Sequence, residues 1–211
     1  MEYKLKQYMV GSIGTNCYLM INADTNETIV IDPGASGKEL SRKLKEDGCV
    51  LKAVLLTHGH YDHAGGVADL LGEYEEEIPV YAHENEKETL KDPMLNLSGN
   101  GYRPESYQAD HFLKDGEVLK LAGFSITVLH TPGHTEGGCC FYFPEEKVLF
   151  SGDSLFCESI GRTDFPRGSM SDLVRSVKEK LLVLPEDVNV YPGHDAATTI
   201  GNEKRYNPFL S

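Results

Sequence analysis

Positive charge is scarce in this sequence, which has 20 Lys and Arg against 33 Asp and Glu and a net charge of −13. A surface of that charge repels phosphate backbones, so nucleic acid is not an expected partner. No stretch approaches the ~18 consecutive apolar residues of a membrane span, and residues 1–7 lack the apolar core of a signal peptide. We therefore expect a cytoplasmic protein without a membrane partner.

Paired cysteines are also missing. None of the 5 Cys residues forms a CxxC pair, and their odd number favours free thiols in a reducing compartment. With 40% apolar and 25% charged residues, the composition excludes a disordered chain. The length of 211 residues predicts one compact domain spanning residues 1–211.

Short apolar runs alternate with turn-forming Gly and Pro, which predicts many short elements. The predicted strands lie near residues 16–21, 28–31, 53–57, 80–82, 117–121, 124–129, 138–143, 147–151 and 188–191. The predicted helices lie near residues 38–45, 64–71, 173–182 and 198–205. Two similar halves, each with strands first and helices after, favour an α+β fold of stacked sheets with helices outside. The irregular segment 92–109 has the length of a lid or binding loop.

A histidine-rich motif follows one of the predicted strands. Three of the 8 histidines, His58, His60 and His63, fall within six positions together with Asp62. Side chains alternate in an extended chain, so His58 and His60 point to the same side. Asp62 and His63 can turn toward a second point as the helix begins. Imidazole and carboxylate bind zinc and iron, so the motif predicts a metal site rather than a helix cap beside surface histidines.

Three more ligand-type side chains come directly after apolar strands. His134 and His194 each follow a Pro-Gly turn, and Asp153 follows the run 149–152. Because four strand ends each deliver such a side chain, we expect them to converge on one site. Seven candidates exceed the needs of one tetrahedral ion and suit two ions that share a bridging ligand. The predicted ligands are His58, His60, Asp62, His63, His134, Asp153 and His194.

The other histidines and the adjacent cysteines have simpler interpretations. His83, His111 and His130 are expected to be structural or surface residues. Cys139 and Cys140 lie in an apolar strand and are expected to pack there as small apolar residues.

The HxHxDH motif, followed in order by His134, Asp153 and His194, resembles the ligand pattern of the metallo-β-lactamase fold superfamily over nearly the whole chain. The resemblance implies an αββα sandwich with the metal site at one edge of the sheets. It implies one ion on His58, His60 and His134, and a second ion on Asp62, His63 and His194. Asp153 would bridge the two ions, and Asp62 and Asp153 are the candidate catalytic residues. The ions are expected to be divalent, zinc first, with iron or manganese as alternatives.

Within the superfamily, Asp153 and the stretch Gly161–Phe165 resemble short relatives of glyoxalase II, the hydroxyacylglutathione hydrolases. The resemblance implies hydrolysis of a small-molecule thioester such as an acyl-glutathione. Full-length glyoxalase II adds a C-terminal helical domain that holds glutathione, and this sequence ends about one turn after Arg205 without it. Ala196 stands where the family often has a tyrosine. Arg162 is the candidate substrate-binding residue, with a surface ion pair to Asp164 as the alternative.

Two alternatives to a two-metal thioester hydrolase remain. Persulfide dioxygenases also resemble the chain, and they use one iron on two His and one Asp, here His58, His134 and Asp153. The second alternative is a metal-binding module without enzymatic activity. Metal stoichiometry separates the first alternative from a two-metal hydrolase. The sequence does not define an oligomeric state.

Overall fold

In the computed structural model, which describes residues 2–100 and 103–210, two six-stranded sheets pack against each other. The first sheet is antiparallel at β1–β3 and parallel from β3 to β6. Its strands are, in spatial order, β1 (Tyr3–Val10), β2 (Thr15–Asn22), β3 (Glu27–Ile31), β4 (Val50–Leu55), β5 (Val80–His83) and β6 (His111–Leu113).

The second sheet comes from the second half of the chain. Its strands are, in spatial order, β14 (Thr198–Thr199), β13 (Asn189–Pro192), β10 (Val148–Gly152), β9 (Cys139–Phe143), β8 (Phe124–His130) and β7 (Val118–Leu121). A small separate ribbon pairs β11 (Leu155–Phe156) with β12 (Ser159–Ile160). Only the β10–β13 pair of the second sheet is parallel, within the part of the chain that the structure describes.

The helices are short and follow the strands in both halves. They are α1 (Gly37–Glu46), α2 (Tyr61–Ala64), α3 (Val67–Leu71), α4 (Lys87–Lys91), α5 (Met170–Ser176) and α6 (Ile200–Tyr206). A 3₁₀ turn at Glu84–Glu86 precedes α4, and a π-helical turn at Val177–Leu181 extends α5. No helix in the described ranges has both the length and the apolar character needed to cross a membrane.

Side-chain alternation along β2 shows how the layers form. Tyr18 and Met20 face the second sheet, whereas Leu19 and Ile21 face the helices that cover the first sheet. The space between the sheets is filled by fully buried aromatic side chains of the second sheet, each worth about 1.5–3 kcal/mol of burial free energy. They are Phe124, Phe141, Phe143 and Phe150.

The outer face of the second sheet is covered in the same way. Leu173, Val177 and Leu181 of the α5 segment pack on Leu149 and Val190. The result is a helix layer, two sheets and a second helix layer, which confirms the predicted αββα sandwich.

Several local predictions need correction. The predicted helix 64–71 is two short helices, because Gly65 and Gly66 pack tightly at their junction: a Cβ on Gly66 would lie 2.4 Å from the carbonyl oxygen of Pro33. The predicted helix 198–205 begins only at Ile200, where Thr199 caps it by accepting from the Asn202 N–H. The edge strands β1 and β6 were not predicted at all. All 5 cysteines are free, and Cys139 and Cys140 are buried in β9 as expected.

Candidate metal centre

The histidine-rich motif connects the buried end of β4 to helix α2. His60 has an extended backbone, with φ −66° and ψ 150°, and α2 begins at the next residue. His58, His60 and His63 are 2%, 3% and 0% exposed. This strand-to-helix turn therefore directs its imidazoles inward, where buried polar groups require partners.

The first group of side chains joins this motif to the loop after β8. His58 Nε2 lies 3.1 Å from His60 Nδ1, and His134 Nε2 lies 3.0 Å from the same nitrogen. Three ring nitrogens that converge in this way can hold one metal ion. A tetrahedral zinc site places its nitrogens about 3.3 Å apart, so the donor set fits such an ion.

The second group is built around Asp62 and His63 on the first turn of α2. Asp62 Oδ2 lies 3.3 Å from His63 Nε2 and 3.2 Å from His194 Nε2. His194 comes from the turn after β13, so this group again joins both halves of the chain. These three side chains also form a set that could hold a metal ion.

Asp153 lies between the two groups. Its Oδ1 is 3.4 Å from His63 Nε2, and its Oδ2 is 3.5 Å from His134 Nε2 and 3.7 Å from His194 Nε2. His63 Nε2 and Asp153 Oδ1 are both buried without a hydrogen-bond partner. Buried orphan atoms of this kind need an explanation, and a divalent ion between imidazole and carboxylate supplies one.

The pKa values of the histidines differ between the two groups. Burial lowers the pKa of His60 to about 3 and the pKa of His58 well below its usual range, so both imidazoles are in the neutral, ligating form. Burial opposes ionisation of Asp153, but the neighbouring His63 lowers the pKa of that carboxyl to about 2. The first group therefore has neutral imidazoles beside an ionised carboxylate. In the second group burial is outweighed by the carboxylates of Asp62 and Asp153, which raise the pKa of His63 well above its usual range and also raise the pKa of His194. These two rings must release a proton when a metal ion binds.

A second layer of contacts orients the rings. Asp32 Oδ2 accepts from His63 Nδ1 at 2.9 Å, and its carboxylate also accepts from the backbone N–H and hydroxyl of Thr57 at 2.8 and 2.6 Å. The carbonyl oxygen of Arg162 accepts from His134 Nδ1 at 2.7 Å. Each bond occupies Nδ1 and leaves Nε2 facing the centre, which fixes the tautomer of a ligating histidine.

Two glycines permit the close approach of these loops. A Cβ on Gly193 would lie 2.3 Å from Asp153 Oδ1 and 2.6 Å from His63 Cε1. A Cβ on Gly34 would lie 1.4 Å from the carbonyl oxygen of Asp62. Neither position has room for a side chain, so the Pro-Gly turns that precede His194 and follow Asp32 require glycine for steric reasons.

The centre opens into a cavity of about 450 Å³. Arg162 lies on its edge, where its guanidinium binds Asp164 through two hydrogen bonds of 3.0 and 2.8 Å. The surface ion pair considered as the alternative for Arg162 is therefore present, and a substrate contact stays a prediction. A wider groove of about 970 Å³ near Arg167 is lined by none of the seven predicted ligands.

The structure brings all seven predicted ligands together and keeps the other histidines apart from them. His83 is buried and stacks on His130, with ring centroids 3.9 Å apart, and His111 is exposed. Two acidic residues at the centre were missed by the sequence analysis. They are Asp32, described above, and Glu86, which is completely buried and contacts both ligand loops.

Comparison with known proteins agrees with the fold. Residues 10–194 match the family model of the metallo-beta-lactamase superfamily. The chain is 43% identical to hydroxyacylglutathione hydrolase GloC of Haemophilus influenzae, over 96% of this chain and 95% of that protein. It is 38% identical to the probable metallo-hydrolase YqgX of Bacillus subtilis, over 99% of this chain and 98% of that protein.

Solved structures show the same fold. BLEG-1, described as a B3 metallo-beta-lactamase, has a TM-score of 0.92 at 42% identity, covering 99% of this chain and 100% of its own. TTHA1623 in a di-iron-bound form has a TM-score of 0.85 at 35% identity, covering 97% and 100%. ETHE1 from Myxococcus xanthus has a TM-score of 0.76 at 28% identity, covering 99% and 84%.

These similarities place the chain in one superfamily. The chain belongs to the metallo-β-lactamase superfamily and is a metallo-hydrolase of that superfamily. Its resemblance to short glyoxalase II-like proteins is confirmed by the likeness to GloC. Its His and Asp cluster suits divalent metal ions.

Proposed function

We propose that the chain is a thioester hydrolase that holds two divalent ions and acts on an acyl-glutathione or a related small-molecule thioester. The name of the H. influenzae relative, at 43% identity, supports the reaction class. Zinc is the first expected metal, with iron and manganese as alternatives, and the di-iron form of TTHA1623 makes iron a serious candidate.

The observation that carries the proposal is the position of Asp153. One of its oxygens faces the second group through His63, and the other lies within 3.7 Å of ring nitrogens from both groups. A carboxylate between two three-residue groups is the arrangement expected of a shared ligand for a pair of ions. When bound, such ions lower the pKa of a water ligand to about 7 and polarise an acyl oxygen.

The chain's own residues supply orientation. The hydroxyl of Thr15 donates to Asp62 Oδ2 at 3.0 Å, which fixes the carboxylate on the cavity side of the second group. We assign Asp62, which the sequence indicates as a candidate catalytic residue, the role of orienting the attacking water. Asp153 is assigned the bridging role, because it is held between His63 and His134.

A thioester suits this site because its leaving group needs little help. An ordinary thiol has a pKa of about 8.5, so a thiolate departs near neutral pH without prior protonation. The reaction therefore needs no residue that protonates the leaving group, in addition to the seven predicted ligands and the water that they orient.

The test is metal analysis of the purified protein together with a thioester hydrolysis assay. Two ions per chain and turnover of a 2-hydroxyacyl-glutathione would support the proposal. Protein that holds two ions and hydrolyses no thioester in a panel of acyl groups and thiol carriers would overturn it.

The second candidate is persulfide oxidation with one iron on His58, His134 and Asp153. The likeness to ETHE1, at 28% identity, is compatible with it, and His134 Nε2 lies 3.5 Å from Asp153 Oδ2. Against it stands the complete second group of Asp62, His63 and His194. One iron per chain with oxygen uptake would favour this candidate over the hydrolase.

A further inference from the structure

The cavity above the candidate centre has walls of a different chemistry from its floor. The floor consists of the predicted ligands, whereas the walls carry the apolar side chains of Ile13, Leu97, Phe156 and Phe165. They come from four separate segments: the β1–β2 turn, the 92–109 loop, β11 and the stretch before α5. Apolar groups from distant segments that converge on one open cavity mark a binding surface for an apolar ligand.

Leu97 is held in this wall by a strained backbone. Its φ is +67°, in the left-handed region that a leucine rarely adopts. The preceding residue, Asn96, is fully buried, and its side-chain amide donates to the carbonyl oxygens of Leu90 and Glu105 at 3.2 and 2.9 Å. The backbone carbonyl oxygen of Asn96 accepts from the Tyr61 N–H at 2.8 Å, and this bond connects the loop to the start of α2. Strain that is held this firmly beside a cavity is typical of a functional position.

Phe165 forms the wall closest to the first ligand group. Its ring lies edge to face against His60 and His134, with centroid distances of 5.4 and 5.6 Å. The guanidinium of Arg162 lies over the outer face of the same ring, 4.4 Å from its centroid. Arg162 thus directs its hydrogen bonds to Asp164 and its flat face to Phe165, which makes it a positioning residue for the ring.

The charges at the cavity mouth do not suit a thioester whose thiol part, the carrier of the acyl group, is anionic. Arg162 is the only Lys or Arg among the described residues that line the cavity, and it is already paired with Asp164. Asp195 adds an exposed carboxylate on another side. At the mouth, away from the proposed ions, a thiol carrier with two carboxylates, such as glutathione, would meet acidic groups. No Lys or Arg of the described lining residues is free of an ion pair there.

We propose that this site selects a thioester whose acyl group is an uncharged aliphatic or aryl chain seated between Leu97, Phe156 and Phe165, on a carrier without carboxylates. This inference rests on the proposed thioesterase function and narrows its substrate class to the related thioesters, with acyl-glutathiones as the poorer substrates. The cavity of about 450 Å³ lies within the usual range of small-molecule sites.

The first experiment measures kcat/KM for acyl thioesters of N-acetylcysteamine, from acetyl to octanoyl, and for the same acyl groups on glutathione. We expect kcat/KM to rise with chain length by up to about fourfold per methylene until the cavity is filled. We also expect the neutral carrier to be preferred over glutathione at every chain length. A preference for glutathione would overturn the carrier assignment.

The second experiment tests the wall itself. Leu97→Ala and Phe165→Ala should each lower kcat/KM for the octanoyl thioester at least about tenfold and change that for the acetyl thioester by less than about twofold. Met94→Ala is the matched control, because Met94 is 57% exposed on the same loop and lies outside the cavity. If kcat/KM of these variants depended on acyl chain length as strongly as that of the wild type, the role of these side chains would be overturned.

Binding of S-alkyl thioethers to the metal-free protein, measured by calorimetry, separates the two proposals. Affinity that rises from S-methyl to S-octyl compounds supports the apolar wall even if no thioester is hydrolysed, a result that would reject only the thioesterase function. Turnover with no dependence on chain length, in both hydrolysis and thioether binding, would overturn the apolar wall and leave the thioesterase function standing.

Discussion

The carboxylate of Glu86 accepts a hydrogen bond from the backbone N–H of Gly59 across 2.8 Å, between His58 and His60 in the chain. Its other oxygen accepts from the Gly137 N–H at 2.9 Å and from the hydroxyl of Thr135. One buried side chain thereby joins the loop after β4 to the loop after β8. The first candidate ligand group depends on the spacing of these two loops.

Glu86→Gln should loosen this connection. A glutamine must turn its NH₂ group toward one of these donors, so at least one buried N–H or hydroxyl loses its acceptor. We expect the free energy of unfolding to fall by about 1–3 kcal/mol and the first group to bind metal more weakly. Urea denaturation in chelator and a cobalt titration measure the two effects. Glu84→Gln is the control, since Glu84 is exposed two residues away, and equal behaviour of the two variants would contradict the prediction.

Asp32→Asn should weaken the second group without unfolding the protein. Asp32 has a φ of +52°, which asparagine tolerates well. However, an amide has only one acceptor oxygen, so it cannot accept from His63 and the Thr57 hydroxyl at one atom and from the Thr57 N–H at the other, as the carboxylate does. We expect a 10- to 100-fold loss of metal affinity, the usual effect of removing a ligand's partner. Competitive metal titration measures it, with Asp47→Asn in a surface ion pair as the control; unchanged affinity would show that Asp32 does not orient His63.

Asp153→Ala tests the bridging role directly. We expect at least about a 100-fold loss of thioester hydrolysis and fewer bound ions per chain, since even partners of ligands are often worth that much. Elemental analysis and turnover of the same preparation measure the two effects. Asp24→Ala, which removes an exposed carboxylate on the β2–β3 turn, should change neither. Wild-type turnover in Asp153→Ala would exclude a bridging carboxylate.

The sandwich and the convergence of the seven predicted ligands could be predicted from the sequence, because these side chains follow buried strands. Asp32 carries that same signal, as it directly follows β3, and the pattern that indicated Asp153 could have indicated it too. Glu86 carries no such signal. It stands in the polar run 84–88, and its burial depends on Gly59 and Gly137, which are 27 and 51 residues away.

The cavity walls and the edge strands could not be predicted from the sequence for similar reasons. Leu97 lies in an irregular loop, where no periodicity predicts the direction of a side chain. Its position depends on contacts such as those that the Asn96 side chain makes with Leu90 and Glu105. Strand β1 carries Lys4 and Lys6 among apolar residues, as edge strands often do, and its register against β2 depends on pairing that the local sequence does not define.

His83 provides a test of stability that is independent of the metal centre. It is 2% exposed and stacks on His130. Burial lowers the pKa of His83 to about 4. Repulsion from His130 and Lys180 adds to this effect, and attraction to Asp115 opposes it. The unfolded chain titrates this group at its ordinary pKa of about 6.5. Between these values the unfolded state binds a proton that the folded state does not, so stability falls as the pH falls through this window.

His83→Asn should therefore flatten the pH dependence of unfolding. Asparagine can still accept from the Asn85 N–H, the cap that His83 makes at 3.3 Å, so the 3₁₀ turn is retained. Relative to its value at pH 7.5, the wild type should lose up to about 3 kcal/mol more than the variant by pH 4. Both proteins are unfolded by urea in the presence of chelator, so that protonation of the metal ligands affects them equally. Parallel curves would mean that His83 takes up its proton in the folded state as readily as in the unfolded one.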